Sequence, residues 1–114
     1  MIEKILHDYL DGALSAPVYP SIPEPMPGRF YVLEKTGGGL QNHISSAVFA
    51  LQSYGQSTYD AAAMNLAGIK AMLSAIAMDD VSDVKLNSDY NFTDTARKRP
   101  RYQAVFNITY FEEE

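Results

Sequence analysis

Five of the six prolines, Pro17, Pro20, Pro23, Pro25 and Pro27, fall within residues 15–28. No other feature limits the fold as firmly. Proline has no amide hydrogen and biases the preceding residue toward extended geometry, so neither a helix nor a central strand can run through this stretch. It is expected to be a stiff connector crossing the surface. Val18, Tyr19, Ile22 and Met26 give it apolar groups to press against the body, and Gly28 ends it.

The flanking segments have their own periods. Ile2, Ile5, Leu6, Tyr9, Leu10, Ala13 and Leu14 recur at three- and four-residue steps, which predicts an amphipathic helix over residues 2–14. Residues 29–36 have strand preference, a three-glycine run follows at Gly37, Gly38 and Gly39, and residues 44–54 form a second strand candidate. The simplest join is an antiparallel hairpin with a loose glycine-rich tip. Residues 57–78 predict the long helix, capped by Ser57, with Ala62, Leu66, Ile69, Leu73 and Ile76 as the stripe facing the sheet. Residues 83–93 and 101–111 alternate as strands of a second hairpin. In the first of these, Val84, Leu86, Ser88, Tyr90 and Phe92 share one side. In the second, Tyr102, Ala104, Phe106, Ile108 and Tyr110 do. The expected fold is α+β in one domain over residues 1–114: a four-stranded, mostly antiparallel (mixed) sheet with two helices packed on one face, in the order α-β-β-α-β-β.

Composition removes several kinds of chemistry. The 114 residues contain no cysteine and two histidines, His7 and His43, so thiol chemistry and a histidine-rich metal site are not expected. A net charge of −5 argues against wholesale binding to nucleic acid or an anionic membrane. No apolar run approaches the roughly 20 residues of a membrane span, and the N-terminus has no signal-peptide layout. A soluble protein, made inside the cell and without a redox role, is the expectation. The triple glycine lacks the lysine and helix start of a phosphate loop and the spacing of a dinucleotide fingerprint. No nucleophile-elbow serine is present. Asp79, Asp80 and Asp83 lack calcium-loop spacing and read as a solvated acidic turn. No catalytic residue, cofactor site or metal site is expected.

Charge is unevenly placed. Asp79, Asp80, Asp83, Asp89 and Asp94 share residues 79–94 with Lys85 alone, and Arg97, Lys98, Arg99 and Arg101 follow directly. A surface acidic on one side and basic on the other can meet a copy of itself head to tail, and such contacts close into rings when the rotation permits. The basic cluster also reads as a tip that meets an acidic partner or a DNA backbone, or as a solvated turn. Residues 36–43 (Thr36, Gly37, Gly38, Gly39, Asn42 and His43) and residues 96–101 are the expected mobile contact loops, with the acidic turn as a third candidate.

Taken in order, certain motifs resemble a known group. They are the helix; Val18, Tyr19, Pro23, Glu24, Pro25 and Pro27; the strand with Phe30, Val32, Leu33, Glu34 and Lys35; and Thr-Gly-Gly-Gly at 36–39. Gln52, Ser53, Tyr54 and Gly55, the Ser57-led helix, and Arg101-Tyr102-Gln103 complete the set. The layout is similar to the small tail-terminator, or tail-completion, proteins of long-tailed bacteriophages and prophages, also grouped as minor-capsid or head–tail joining proteins. That resemblance implies a non-enzymatic virion assembly protein. It would form a ring, expected to have six copies, that caps the tail tube, ends its polymerisation and docks to the head–tail connector. The partners implied are itself, the major tail tube protein, the connector protein and DNA passing through the lumen, with no membrane. The implied location is the bacterial cytoplasm during assembly and then the virion. A head-completion or neck adaptor is the alternative, and a small nucleic-acid-binding module using residues 97–101 is the second.

Overall fold

The N-terminal helix α1 (Ile2–Ala13) buries Ile2, Leu6 and Leu10. In the computed structural model, which describes residues 1–41 and 44–111, the chain then turns along the sheet edge. The Asp11 carboxylate accepts from the Val18 amide at 3.1 Å, and the Tyr31 amide donates to the Pro17 carbonyl at 2.9 Å. These bonds make β1 (Val18–Tyr19) a short strand parallel to β2 (Phe30–Gln41), Val18 opposite Tyr31 and Tyr19 opposite Val32. The sheet therefore has five strands in the order β1-β2-β3-β5-β4, and the elements run α-β-β-β-α-β-β. The expected four strands and α-β-β-α-β-β order are wrong. The same bias toward extended backbone that ruled out helix supplies a fifth strand wherever a non-proline amide is free to pair.

The β2–β3 hairpin is also longer than expected. β3 (Ile44–Tyr54) pairs antiparallel with β2 as far as Gln41 opposite Ile44, so Gly37, Gly38 and Gly39 are strand residues opposite Val48, Ala47 and Ser46. Glycine weakens a strand without forbidding it, and a continuous partner strand decides the matter. A bulge between Lys35 and Gly37 absorbs the mismatch.

The long helix α2 (Thr58–Ser74) starts where Ser57 Oγ accepts from the Asp60 amide at 3.1 Å. It continues into a 3₁₀ turn at Ala75–Ala77. Its buried side is Ala61, Met64, Asn65, Gly68, Met72 and Ala75. The expected stripe faces outward instead: Leu66, Leu73 and Ile76 are 53%, 40% and 50% exposed. A helix apolar nearly all round gives no single face from its sequence, and close approach to the sheet selects the small-residue side. At Gly68 a Cβ would stand 2.7 Å from Leu51 Cδ2, so the helix rests on the sheet at that point.

β4 (Val81–Asn91) pairs with β5 (Arg101–Tyr110), which pairs with β3. Bulges at Val81/Asp83 and Leu86/Ser88 break the alternation expected for β4. Val84 and Leu86 oppose Ile108 and Phe106 on the helix side, whereas Ser88 and Tyr90 oppose Val105 and Gln103 on the other. One extra residue reverses every side chain beyond it.

Both helices bury into one core on one side of the sheet, with Tyr31, Leu33, Phe49, Leu51, Phe106 and Ile108. On the opposite side, Phe30, Val32 and Tyr54 form a second, smaller core covered by Tyr19, Ile22 and Met26 of the proline-rich connector.

Candidate functional site

The end of the sheet where β4 passes to β5 is the most elaborately bonded place in the molecule. Asp94 and Arg99 bridge that connection through two backbone hydrogen bonds, of 2.9 and 3.0 Å. The Asp94 side chain is buried, and its oxygens accept from the Arg97 amide at 3.1 Å, the Tyr54 hydroxyl at 3.1 Å and Arg97 Nη1 at 3.2 Å. Arg101 Nη1 lies 3.8 Å away. Burial alone would raise the Asp94 pKa, but the hydrogen bonds and the two guanidiniums outweigh it and hold the carboxyl below its ordinary range.

From this hub a ladder of cations and rings crosses the sheet. Arg101 donates to the Phe92 carbonyl at 2.6 Å and to the Tyr54 hydroxyl at 2.9 Å. Its guanidinium stands 4.2 Å from the Phe92 ring centre and 5.5 Å from that of Tyr54. Tyr54 stacks on Phe30 at 4.5 Å, and Arg99 lies 5.7 Å from the Phe30 ring. Arg99 Nη2 donates to the carbonyls of Pro27 and Gly28, at 3.1 and 2.8 Å, tying the connector to the sheet. Tyr90 meets Phe92 edge to face at 5.8 Å. Its hydroxyl accepts from Gln103, which in turn accepts from Gln52 at 2.8 Å. Each cation is held over an electron-rich ring face and shares its protons with fixed acceptors, so this is a rigid platform of charge. Burial pushes the Tyr54 hydroxyl pKa up; it stays protonated and donates to Asp94.

Residues 96–101 are therefore the exposed turn expected only as far as Lys98. Arg99 and Arg101 point into the fold. Arg97, with its side chain 45% exposed, and the exposed Lys98 present the charge. Lys98 has φ 56°, a left-handed conformation that bends the turn. Thr36 and the three glycines sit in β2, where Thr36 Oγ1 donates to the Val48 carbonyl at 3.3 Å, so they are not a free loop either. Asn42 and His43 lie outside the described residues.

The acidic candidates occupy the opposite end of the same hairpin. Asp79 and Asp80 immediately precede β4, and Asp83 lies near its start, 3.6 Å from Lys85 Nζ. β4 begins with Val81 opposite Tyr110 and ends with Asn91 opposite Tyr102. At about 3.4 Å per residue, its 11 residues put the acidic turn and the basic turn roughly 30 Å apart. The longest dimension of the molecule is 43 Å. Arg29 adds to the basic end; its Nε donates to Asp60 at 3.0 Å beside the start of α2. Among the described residues no three histidine or acidic side chains gather as a metal site would require.

The sequence showed the basic cluster, but nothing in it marked Tyr54, Phe30, Phe92 and Asp94 as its scaffold. They come from three separate segments (β2, β3 and the β4–β5 connection), and the β4 bulge that turns Tyr90 toward this face has no sequence signature.

No protein-family model matches the chain, and no curated protein matches it. Two solved structures from Akkermansia muciniphila are similar at 12% and 13% identity. Their TM-scores are 0.44 and 0.41, over 74% and 75% of this chain. The second is described as lacking its transmembrane region. The chain spans 42% and 46% of those proteins, less than half of either. No helix among the described residues is long and apolar enough to cross a membrane.

Proposed function

We propose that this chain is a structural assembly subunit of the phage tail-terminator kind, which packs with its own copies into a ring and closes the tail tube. The observation that carries the proposal is the charge at the two ends of the β4–β5 hairpin: Arg97 and Lys98 at one, Asp80 and Asp83 at the other. Both ends are anchored on the paired strands β4 and β5. A copy can set its basic turn against the acidic turn of the next, and such a heterologous contact closes when the rotation per step divides a circle. The Asp94 hub suits this role, because it fixes the direction in which Arg97 and Lys98 project. In this reading the protein acts by shape and charge, without bond chemistry. Its partners are six-fold copies of itself, the tail tube protein and the head–tail connector, with DNA passing through the lumen.

The test is electron microscopy of tails assembled with and without the chain. Tubes of uncontrolled length in its absence, restored to one length by adding it back, are the expected result. Tails of normal length without it would overturn the proposal. Co-precipitation with the connector but not with tube protein would move the chain to a neck adaptor.

A further inference from the structure

We infer that two copies of this chain pair antiparallel through the outward face of α2, about a two-fold axis level with Ala67 and Gly68. Tyr59, Ala62, Leu66, Ile69 and Leu73 on α2, with Ile76 on the 3₁₀ turn that continues it, recur at alternating steps of three and four residues, the seam of a coiled coil. The body of the protein does not cover this seam. Tyr59 is 89% exposed, Leu66, Leu73 and Ile76 are at least 40% exposed, and Ile69 is only partly buried. α1 lies along the other flank of α2, where the Tyr9 hydroxyl donates to the Ala71 carbonyl at 2.8 Å. Leu86, on edge strand β4 and on the same side of the sheet, adds a further exposed apolar group. Between Asp60 and Asp79 the sequence holds one charged residue, Lys70. A water-facing helix normally carries many more.

Two observations make the occupant a second copy. First, the stripe matches itself when reversed. About that axis Tyr59 falls opposite Ile76, Ala62 opposite Leu73, and Leu66 opposite Ile69, so the small residue faces a large one and each apolar group meets another. An isologous contact needs this self-complementarity, and a foreign helix does not. Second, the ends match in charge. Arg29, 41% exposed, is held beside the start of α2 by Asp60, while Asp79 follows its end. Reversing one copy sets its Asp79 near the other's positive helix N-terminus and the Arg29–Asp60 ion pair, twice per pair, whereas a parallel pair would set Asp79 against Asp79. The exposed Ala63 lets the helices approach to about 8–10 Å. The apolar seam lies on the helix side of the molecule, whereas the ring contact rests on Arg97, Lys98, Asp80 and Asp83; the two share only the acidic turn, and Leu66→Glu/Leu73→Glu leaves both hairpin ends intact, so it separates them.

The absence of cysteine allows a clean test on the full chain. Tyr59→Cys and Ile76→Cys chains are mixed and oxidised. A disulfide joining the two variants is expected, with little in either variant alone, because like positions stand about 25 Å apart in an antiparallel pair. Cross-linking of Tyr59→Cys chains to one another would overturn the inference. In parallel, sedimentation equilibrium compares the native chain with Leu66→Glu/Leu73→Glu. Both sites are exposed, so circular dichroism should show the fold retained, and pairing should weaken at least about ten-fold. A native chain that remains monomeric at about 100 µM, or a double variant that pairs as well as the native chain, would overturn it.

Discussion

Replacing Asp94 with alanine would leave Arg101 and the Tyr54 hydroxyl without their shared acceptor in a buried setting. Breaking a buried charge cluster by removing one partner typically costs about 3–5 kcal/mol. A loss near the lower figure is expected here, because Arg97 can turn to water; urea denaturation measures it. Asp94→Asn isolates the charge. The folded carboxyl titrates below its ordinary value, so its contribution is present above the unfolded pKa, near 3.8, and is lost as pH falls through the folded one. The Asn variant should lack that part of the acid-induced loss. His7 has the opposite sign. Its pKa is raised by the hydrogen bond with Asp8 at 3.0 Å and then by the Val18 carbonyl at 2.7 Å. Its contribution is complete below the ordinary value of 6.5 and disappears as pH rises through the raised one. Thermal melts of His7→Gln should be flatter than the native chain across that interval. At this scale the sequence identified charges but not their neighbours. Arg97, Lys98, Arg99 and Arg101 look equivalent in a row, and only the partners brought by β3 and the connector separate the two that point inward.

At the scale of the element, legibility followed the strength of the period. β5 alternates without interruption; of its expected inward residues Ala104, Phe106, Ile108 and Tyr110 are buried and Tyr102 is half-buried. The Ser57 cap was likewise readable, because a capping side chain acts within three residues of itself. β4 was not, since its bulges depend on the partner strand. The stripe expected to face the sheet in α2 faces outward, because apolar residues lie on both sides of the helix. The true inner face is marked by Gly68, and nearby Gly55 shows what fixes the helix in place. A Cβ at Gly55 would stand 2.4 Å from the Ala61 backbone nitrogen, which cannot move without displacing the first turn. At Gly68 the obstacle is a Leu51 methyl at 2.7 Å, which has some freedom. Gly68→Ala should therefore cost about 1–3 kcal/mol through overpacking, partly offset by better helix propensity. Gly55→Ala should cost more. Melting temperatures in that order would support close docking at both ends of the contact; a neutral Gly55→Ala would show the helix start free to shift.

For the whole molecule, the uneven charge was visible in the sequence, but its arrangement was not. Residues 79–94 and 97–101 are neighbours in the chain and would have formed one mixed patch had the segment been a loop. Drawn out as β4, it separates the two signs to opposite ends. That geometry makes the ring proposal testable by exchanging charges. An Arg97→Glu/Lys98→Glu chain is acidic at both ends, and an Asp80→Lys/Asp83→Lys chain is basic at both. Neither should self-assemble end to end, since every contact would set like charges together. Mixed in equal amounts, they should recover the native assembly, alternating around a ring with an even number of copies. Native assembly should also weaken as salt is raised toward 1 M, where the screening length falls to about 3 Å. Light scattering of the two variants, separately and mixed, reads all three outcomes. Assembly of either variant alone beyond the α2-paired dimer would show that the hairpin ends are not the contact, and failure of the mixture would show that charge is not what joins them.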